Sequence, residues 1–306
     1  MNELKALITD EIRHDGPIPF SRFMELALYH PTFGYYRRPK DPFGRSGDFY
    51  TAEQLQPVFG RLIALYLKRF TGEGATVVEV GAGRMDMAEA LSGFSYVPVD
   101  IAHGSIPEQF TGAVFSNELF DALPVDLLIR RDGFTHERRV SVHGDRFVWD
   151  DSVRSEQEAD ERVTVRETQQ HRLAMLTRIA ERLRSGTIVT IDYGYTRREL
   201  VRFPEGTLMS YHRHTAIDDV LVRPGEQDIT AHVDWTALEE HGTSLGLRTV
   251  RFESLASALL HAGEPDQFAS ALAAPDEAAE KHHRLQLKSL LFGMGETFRV
   301  LVQSKR

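Results

Sequence analysis

The stretch 76–91, TVVEVGAGRMDMAEAL, constrains the fold of this chain more than any other. Val77, Val78 and Val80 are β-branched and read as a short strand with Glu79 inside it. Gly81-Ala82-Gly83 follows directly, and the Ala-, Met- and Leu-bearing run after it predicts a helix. A buried strand that ends in a glycine turn and opens a helix is the layout of a nucleotide-cofactor site, because glycine lets the backbone approach a ligand with no Cβ in the way. The start of such a helix also offers unpaired N–H groups to an anion. The plainer reading is a strand–turn–helix of an ordinary α/β core.

The surrounding residues narrow the choice of cofactor. A dinucleotide fingerprint requires glycine at position 86, where this chain has Asp86. A carboxylate there repels a pyrophosphate. An acid two residues before the first glycine suits S-adenosylmethionine, which carries an ammonium group. The usual methyltransferase form is E-x-G-x-G-x-G, and Met85 stands at its third glycine.

The 306 residues suffice for one large or two ordinary domains. Hydrophobic content of 42% and charged content of 26% are those of a soluble globular protein. A formal net charge of −9 disfavours a general nucleic-acid binder. With no cysteine there is no disulfide, thiol nucleophile or thiolate metal site. No apolar run approaches a membrane span, and the N-terminus mixes acids and bases without a signal-peptide core. The expected compartment is the cytoplasm.

Along the chain, Leu4, Leu7, Ile8 and Ile12 share one face of a first helix, and Gly16-Pro17-Ile18-Pro19 breaks it. Ser21 is placed to cap a second helix over 22–29. Residues 37–52 form a polar, glycine-rich loop: a solvated connection, or a flap in which Gly47, Asp48 and Thr51 close over a cationic ligand. Residues 55–70 read as a helix, 94–99 as a strand ending at Asp100, and 113–115 as the next strand. Residues 101–113 are too few for a full crossover with a further strand. Residues 125–149 alternate like a small meander with turns at Asp132-Gly133 and His143-Gly144-Asp145. An amphipathic helix follows over 167–184, with Leu173, Leu176, Ile179, Ala180 and Leu183 inward, then a buried strand at 187–191. Residues 196–235 lack periodicity, 254–291 are mainly helical, and a strand closes the chain at 297–302.

Two places carry candidate chemistry besides the glycine turn. Asp100 lies 19 positions after Gly81, where doubly wound folds hold ribose hydroxyls, or it is simply a strand-end Asp. Asn117, Glu118 and Asp121 follow the next strand. Glu118 and Asp121 are spaced i, i+3, so a helical turn puts both on one face, where they grip a guanidinium or cap the turn. His212, His214 and His232 lack the spacing of a zinc site, and no metal is expected.

The strings GDFYTA (47–52), VVEVGAGR (77–84), FSNELFDALPV (115–125) and PGEQDITAHVDW (224–235) together resemble the MidA family of S-adenosylmethionine-dependent methyltransferases. Its mitochondrial members are complex I assembly factors that methylate an arginine of a partner subunit. The resemblance implies an α/β, Rossmann-like class I methyltransferase fold. That is a doubly wound, mostly parallel sheet with an antiparallel last strand, a helical N-terminal segment and an inserted substrate-side region. The implied division is 1–70 for the helical segment and flap, and 71–306 for the core, with insertions at about 125–165, 196–235 and 254–291.

The resemblance also implies roles. Glu79, Gly81 and Gly83 bind the methionine end of the cofactor, Asp100 the ribose, and Gly47, Asp48 and Thr51 close over it. Asn117, Glu118 and Asp121 line the transfer site, with Asp228, Thr230 and His232 on the substrate side. Glu118 and Asp121 are the candidate guanidinium ligands and His232 the candidate proton acceptor. The chain departs from the family at Met85, at Ala52-Glu53-Gln54 in the flap, and in the short segment after Asp100. The expected function is methylation of a protein, on an arginine in a basic segment, with no nucleic-acid or membrane partner. A homodimer is one assembly left open. The alternative is a non-catalytic relative that acts as an assembly or binding factor. A nicotinamide oxidoreductase comes third.

Overall fold

The structure is a computed structural model that describes residues 3–38, 56–72, 74–157, 164–212, 215–217 and 219–306. Gly47, Asp48 and Thr51, expected from the sequence to form a flap, lie outside the described residues, as does His214. The chain forms two compact units that interleave along the sequence: Met1–Tyr50, Asp121–Arg172 and Tyr195–Asp234 make the first, and Thr51–Phe120, Leu173–Gly194 and Trp235–Arg306 the second. A linear cut at 70/71 therefore does not describe them. The helix Val58–Lys68 packs into the core of the second unit, and the pieces around 125–165 and 196–234 belong with the N-terminal helices.

The second unit is built on β1 (Thr76–Val80), β2 (Ser95–Val99), β3 (Phe110–Asn117), β4 (Leu183–Tyr195), β5 (Arg248–Ser254) and β6 (Phe298–Lys305). Their order is β5-β6-β4-β3-β1-β2. The pairs β1–β2, β1–β3 and β3–β4 are parallel, and β6 runs antiparallel to both β4 and β5. This is the mostly parallel sheet with an antiparallel last strand that the resemblance implies. Parallel strands buried on both faces read as apolar runs, and Val77, Val78, Ala113, Val114, Phe115, Val189 and Ile191 are buried. Helices Val58–Lys68 and Leu255–Gly263 lay Phe59, Leu62, Ile63, Leu255 and Leu259 in one cluster with Val77, Ala113, Phe115, Val189 and Ile191. Each such side chain contributes about 1.5–3 kcal/mol when fully buried.

Two sequence expectations fail in this unit. No helix follows the glycine turn. Gly81, Gly83 and Met85 all have left-handed φ, at 85°, 46° and 60°, so the chain cannot start a right-handed helix there. Residues 82–94 instead form successive tight turns, such as Met85 N–H to Ala82 O at 2.6 Å and Ala88 N–H to Met85 O at 3.0 Å. The residues after β3 are not helical either, because Glu118 is left-handed at φ 50°. The shared helical face inferred for Glu118 and Asp121 does not form. The shortened connection is as the spacing requires: β2 leads to β3 through residues with no helix or strand, closed at its start by Asp100 and His103.

The first unit packs helices Glu3–Asp15 and Phe20–Tyr29 against a five-stranded sheet. Its meander, Leu127–Arg131, Phe134–His143 and Arg146–Arg154, turns at Asp132-Gly133 and at Gly144 as the sequence suggests. Leu4, Ile8 and Ile12 are buried, but Leu7 is 47% exposed. Ser21 is not the helix cap. Pro19 holds that position, and the Ser21 N–H donates to Asp126 Oδ1 at 3.0 Å. Residues 196–235, aperiodic in sequence, form a three-stranded antiparallel sheet of Met209–His212, Thr215–Ile217 and Asp228–Thr230.

Candidate functional site

In the second unit the candidate residues gather at the C-terminal ends of β1, β2 and β3, where open α/β sheets bind ligands. Glu79 is 1% exposed, and the Tyr96 hydroxyl donates to its Oε2. Burial pushes its carboxyl up to about 7, with the neighbouring Asp86 and Asp100 adding to the rise and the Tyr96 hydrogen bond opposing it. The N–H groups of Gly81 and Ala82 both donate to Val99 O, at 2.8 and 3.1 Å, which folds the turn back onto β2. The Gly83 N–H donates to Asp100 Oδ2 at 3.0 Å. A Cβ on Gly81 would lie 3.2 Å from Leu119 Cδ1 and in a strained backbone, so this turn requires glycine. Met85 is 43% exposed, and Arg84 pairs with Asp86 through Nη2 at 2.7 Å.

The end of β3 supplies the next group. Asn117 is buried, and its Nδ2 donates to Glu118 Oε1 at 3.2 Å. Glu118 sits in a left-handed conformation that costs a non-glycine residue about 1 kcal/mol or more, held by its own N–H on Ile191 O at 3.0 Å. Asp192 is fully buried, and its Oδ2 accepts the Phe120 N–H at 2.9 Å, which fixes where the segment goes next. Glu79 Oε1, Ser116 Oγ and Asn117 Oδ1 are buried acceptors with no hydrogen-bond partner among the described residues. Buried acceptors and surrounding carboxylates fit a ligand that brings N–H donors and positive charge, such as the ammonium end of S-adenosylmethionine. They do not fit a pyrophosphate.

In the first unit Asp121, Asp228, Thr230 and His232 are drawn together by backbone bonds. Arg172, fully buried, donates from Nη1 to His232 O at 2.9 Å and from Nη2 to Ala231 O at 2.6 Å and Asp121 O at 3.4 Å. The Ala231 N–H donates to Asp121 O at 3.1 Å. Asp228 is 2% exposed and accepts the Tyr36 hydroxyl at 2.9 Å. Tyr36 stacks on Tyr29, whose hydroxyl donates to Ala122 O at 2.8 Å. Burial, then the charges of Asp228 and Asp121, hold the Tyr36 phenol well above its ordinary range, so it stays a donor. Thr230 is buried in the strand Asp228–Thr230. His232 lies against Tyr195, with ring centres 5.1 Å apart, and burial holds its pKa below the ordinary value.

Arg172, Tyr36, Tyr96 and Asp192 are absent from the sequence-derived set. Arg172 had a signal: with Leu176 and Ile179 it falls on the inward stripe of its helix, where an arginine needs partners. Tyr96 had none, because only strand pairing brings it to Glu79.

A family profile described as that of an S-adenosyl-L-methionine-dependent methyltransferase matches residues 84–253. The crystal structure of a superfamily member from Burkholderia thailandensis, bound to S-adenosyl-homocysteine, superposes with a TM-score of 0.88 at 32% identity, covering 99% of this chain and 92% of that one. The Drosophila melanogaster protein arginine methyltransferase NDUFAF7 homolog, mitochondrial, is 26% identical, covering 74% of this chain. The Xenopus tropicalis protein arginine methyltransferase NDUFAF7, mitochondrial, is 24% identical over 76% of this chain and 69% of its own length. The chain spans 66% of the length of the fly relative. These names overturn the cytoplasmic expectation, since both relatives are mitochondrial. Composition does not separate one aqueous compartment from another.

Proposed function

The chain belongs to the MidA family of S-adenosyl-L-methionine-dependent methyltransferases, and from that premise we propose that it methylates an arginine side chain in a basic segment of a protein. The observation that carries the donor half is the set of buried acceptors Glu79 Oε1, Ser116 Oγ and Asn117 Oδ1 at the strand ends. Glu79, Gly81 and Gly83 hold the methionine end, with Asn117 beside them, and Asp100 takes the ribose hydroxyls. When bound, S-adenosylmethionine supplies a methyl carbon on a sulfonium sulfur, which an acceptor nitrogen takes in line as the carbon–sulfur bonding pair returns to sulfur.

The acceptor half rests on carboxylates and a neutral imidazole. Glu118 and Asp121 orient the guanidinium through charge-assisted hydrogen bonds and stabilise the charge that it keeps as product. His232, neutral because burial lowers its pKa, takes the proton that the methylated nitrogen loses. Asp228, held by Tyr36, and Thr230 position the substrate chain. The names of the fly and frog relatives support arginine as the acceptor.

The test is calorimetric titration of S-adenosylmethionine into the full chain, followed by label transfer from methyl-tritiated cofactor to arginine-rich synthetic peptides. Micromolar binding and label recovered as methylarginine are expected. A folded sample that binds nothing at millimolar cofactor overturns the proposal and leaves the non-catalytic, partner-binding reading.

A further inference from the structure

We infer that Glu167 and Thr207 are positioning residues that hold the His232 imidazole as its Nδ1-protonated tautomer and so present the Nε2 lone pair as the proton acceptor. This rests on the reading of His232 as the base.

The network runs through one hydroxyl. Glu167, at the end of the strand Val165–Glu167, is 6% exposed. Its Oε1 accepts both the Thr207 N–H at 2.5 Å and the Thr207 hydroxyl at 3.2 Å. A carboxylate only accepts, so the single hydroxyl proton of Thr207 points at Glu167. The lone pairs of Thr207 Oγ1 are then turned to the His232 backbone N–H, which donates at 3.0 Å. The Thr207 carbonyl faces His232 Nδ1 at 3.4 Å. A carbonyl has no proton to give, so this hydrogen bond forms only when Nδ1 carries one. In a neutral ring this leaves the lone pair on Nε2.

The surroundings fix the ring as well as its proton. Tyr195 and Phe203 stack on each other at 4.6 Å, and His232 lies 17° from the plane of Phe203 and 35° from that of Tyr195. Gly206 makes the close approach of Glu167 feasible: a Cβ there would meet Glu167 Oε1 at 2.8 Å, and its φ of +83° excludes most other residues. Charged groups near the ring among the described residues include Arg172, which donates to His232 O, and Glu167 through Thr207. Burial and Arg172 both disfavour the imidazolium, and the Thr207 carbonyl opposes them.

The readout is the tautomer itself, from long-range proton–nitrogen correlation spectra of ring-15N-labelled His232 in the full chain. The wild type is expected to show a protonated Nδ1 and an unprotonated Nε2 at pH 8. Glu167→Ala should give mixed tautomers and about tenfold lower methylation of an arginine-rich peptide, with cofactor affinity unchanged. Glu167→Gln keeps an acceptor oxygen and should restore both. Thr207→Val serves where Glu167→Ala does not fold, and it should give the same mixing. A wild-type ring protonated at Nε2, or a folded Glu167→Ala or Thr207→Val chain with an undisturbed tautomer, overturns the inference. His232→Gln separates the two ideas: unchanged methylation in that variant overturns the base reading and the inference that rests on it, whereas an undisturbed tautomer in Glu167→Ala overturns the positioning alone.

Discussion

The Tyr96 hydroxyl donates to the Glu79 carboxylate across the parallel pair β1–β2, two positions away from the register partner of Glu79. The bond favours the ionised carboxylate, yet burial wins and lifts the group to about 7. If the ionised form receives the cofactor ammonium, affinity for S-adenosylhomocysteine should rise about tenfold from pH 6 to pH 8. Tyr96→Phe removes the opposing hydrogen bond and should move that rise to higher pH. Glu79→Gln should bind weakly at every pH. Calorimetry across this range decides it, and a flat wild-type profile would sink the role given to Glu79.

The same shift affects stability. The native Glu79 carboxyl holds its proton more tightly than the unfolded chain, whose value is the ordinary 4.5. As pH rises from 4.5 through about 7 the unfolded chain loses that proton first, so the group subtracts stability progressively and fully above 7. Without cofactor, Glu79→Gln should therefore unfold at a higher urea concentration than wild type at pH 8, and at a similar one near pH 4. Equal midpoints at pH 8 would contradict the burial argument.

Glu118 carries backbone strain at the end of β3, in a conformation that few side chains accept. Its proposed work is on the acceptor. Glu118→Gln should lower turnover about a hundredfold, the scale of one lost charge-stabilising group. Cofactor affinity should change less than about twofold, since Asn117 and Glu79 remain. Parallel loss of both would assign Glu118 to the cofactor instead.

Strands and turns were the readable part of this chain. The run Val77, Val78, Val80, the glycines after it and the turn at Asp132-Gly133 announce themselves through local sterics. The missing strand was readable by length alone. Ala, Met and Leu predict a helix after Gly83, but three left-handed positions at alternate residues, 81, 83 and 85, override that propensity. Residues 196–235 form a sheet with no periodic signal, because each strand is only three or four residues long. The non-local partners, Tyr36 for Asp228 and Glu167 for Thr207, lie 192 and 40 positions apart and have no local signature.

Arg172 ties together three backbone carbonyls, those of Asp121, Ala231 and His232, while fully buried. Arg172→Met keeps the volume and takes this donor from the Ala231 and His232 carbonyls, while Asp121 O keeps the Ala231 N–H; the cost is about 1–3 kcal/mol for each carbonyl that neither water nor another donor reaches. The variant should lose at least about 2 kcal/mol in urea unfolding. Methylation should fall more than cofactor affinity, because the residues it anchors are those proposed to serve the acceptor. Wild-type stability in this variant would show that the carbonyls find other donors.

Gly112 and Gly186 face each other in the β3–β4 ladder, and a Cβ added to Gly186 would lie 1.8 Å from Gly112 O. That neighbour is backbone in mid-sheet, so it cannot swing aside as a side chain does. The φ of 141° at Gly186 adds strain for any L-residue. Gly186→Ala should therefore cost about 3 kcal/mol or more, at the upper end of overpacking effects. Gly144→Ala is the control: its φ is 64°, but a Cβ there meets nothing within 4 Å, so only the backbone term of about 1 kcal/mol applies. Thermal unfolding of the two variants side by side separates collision from strain. If Gly144→Ala were the more damaging of the two, strand pairing between β3 and β4 could not be as close as the ladder requires.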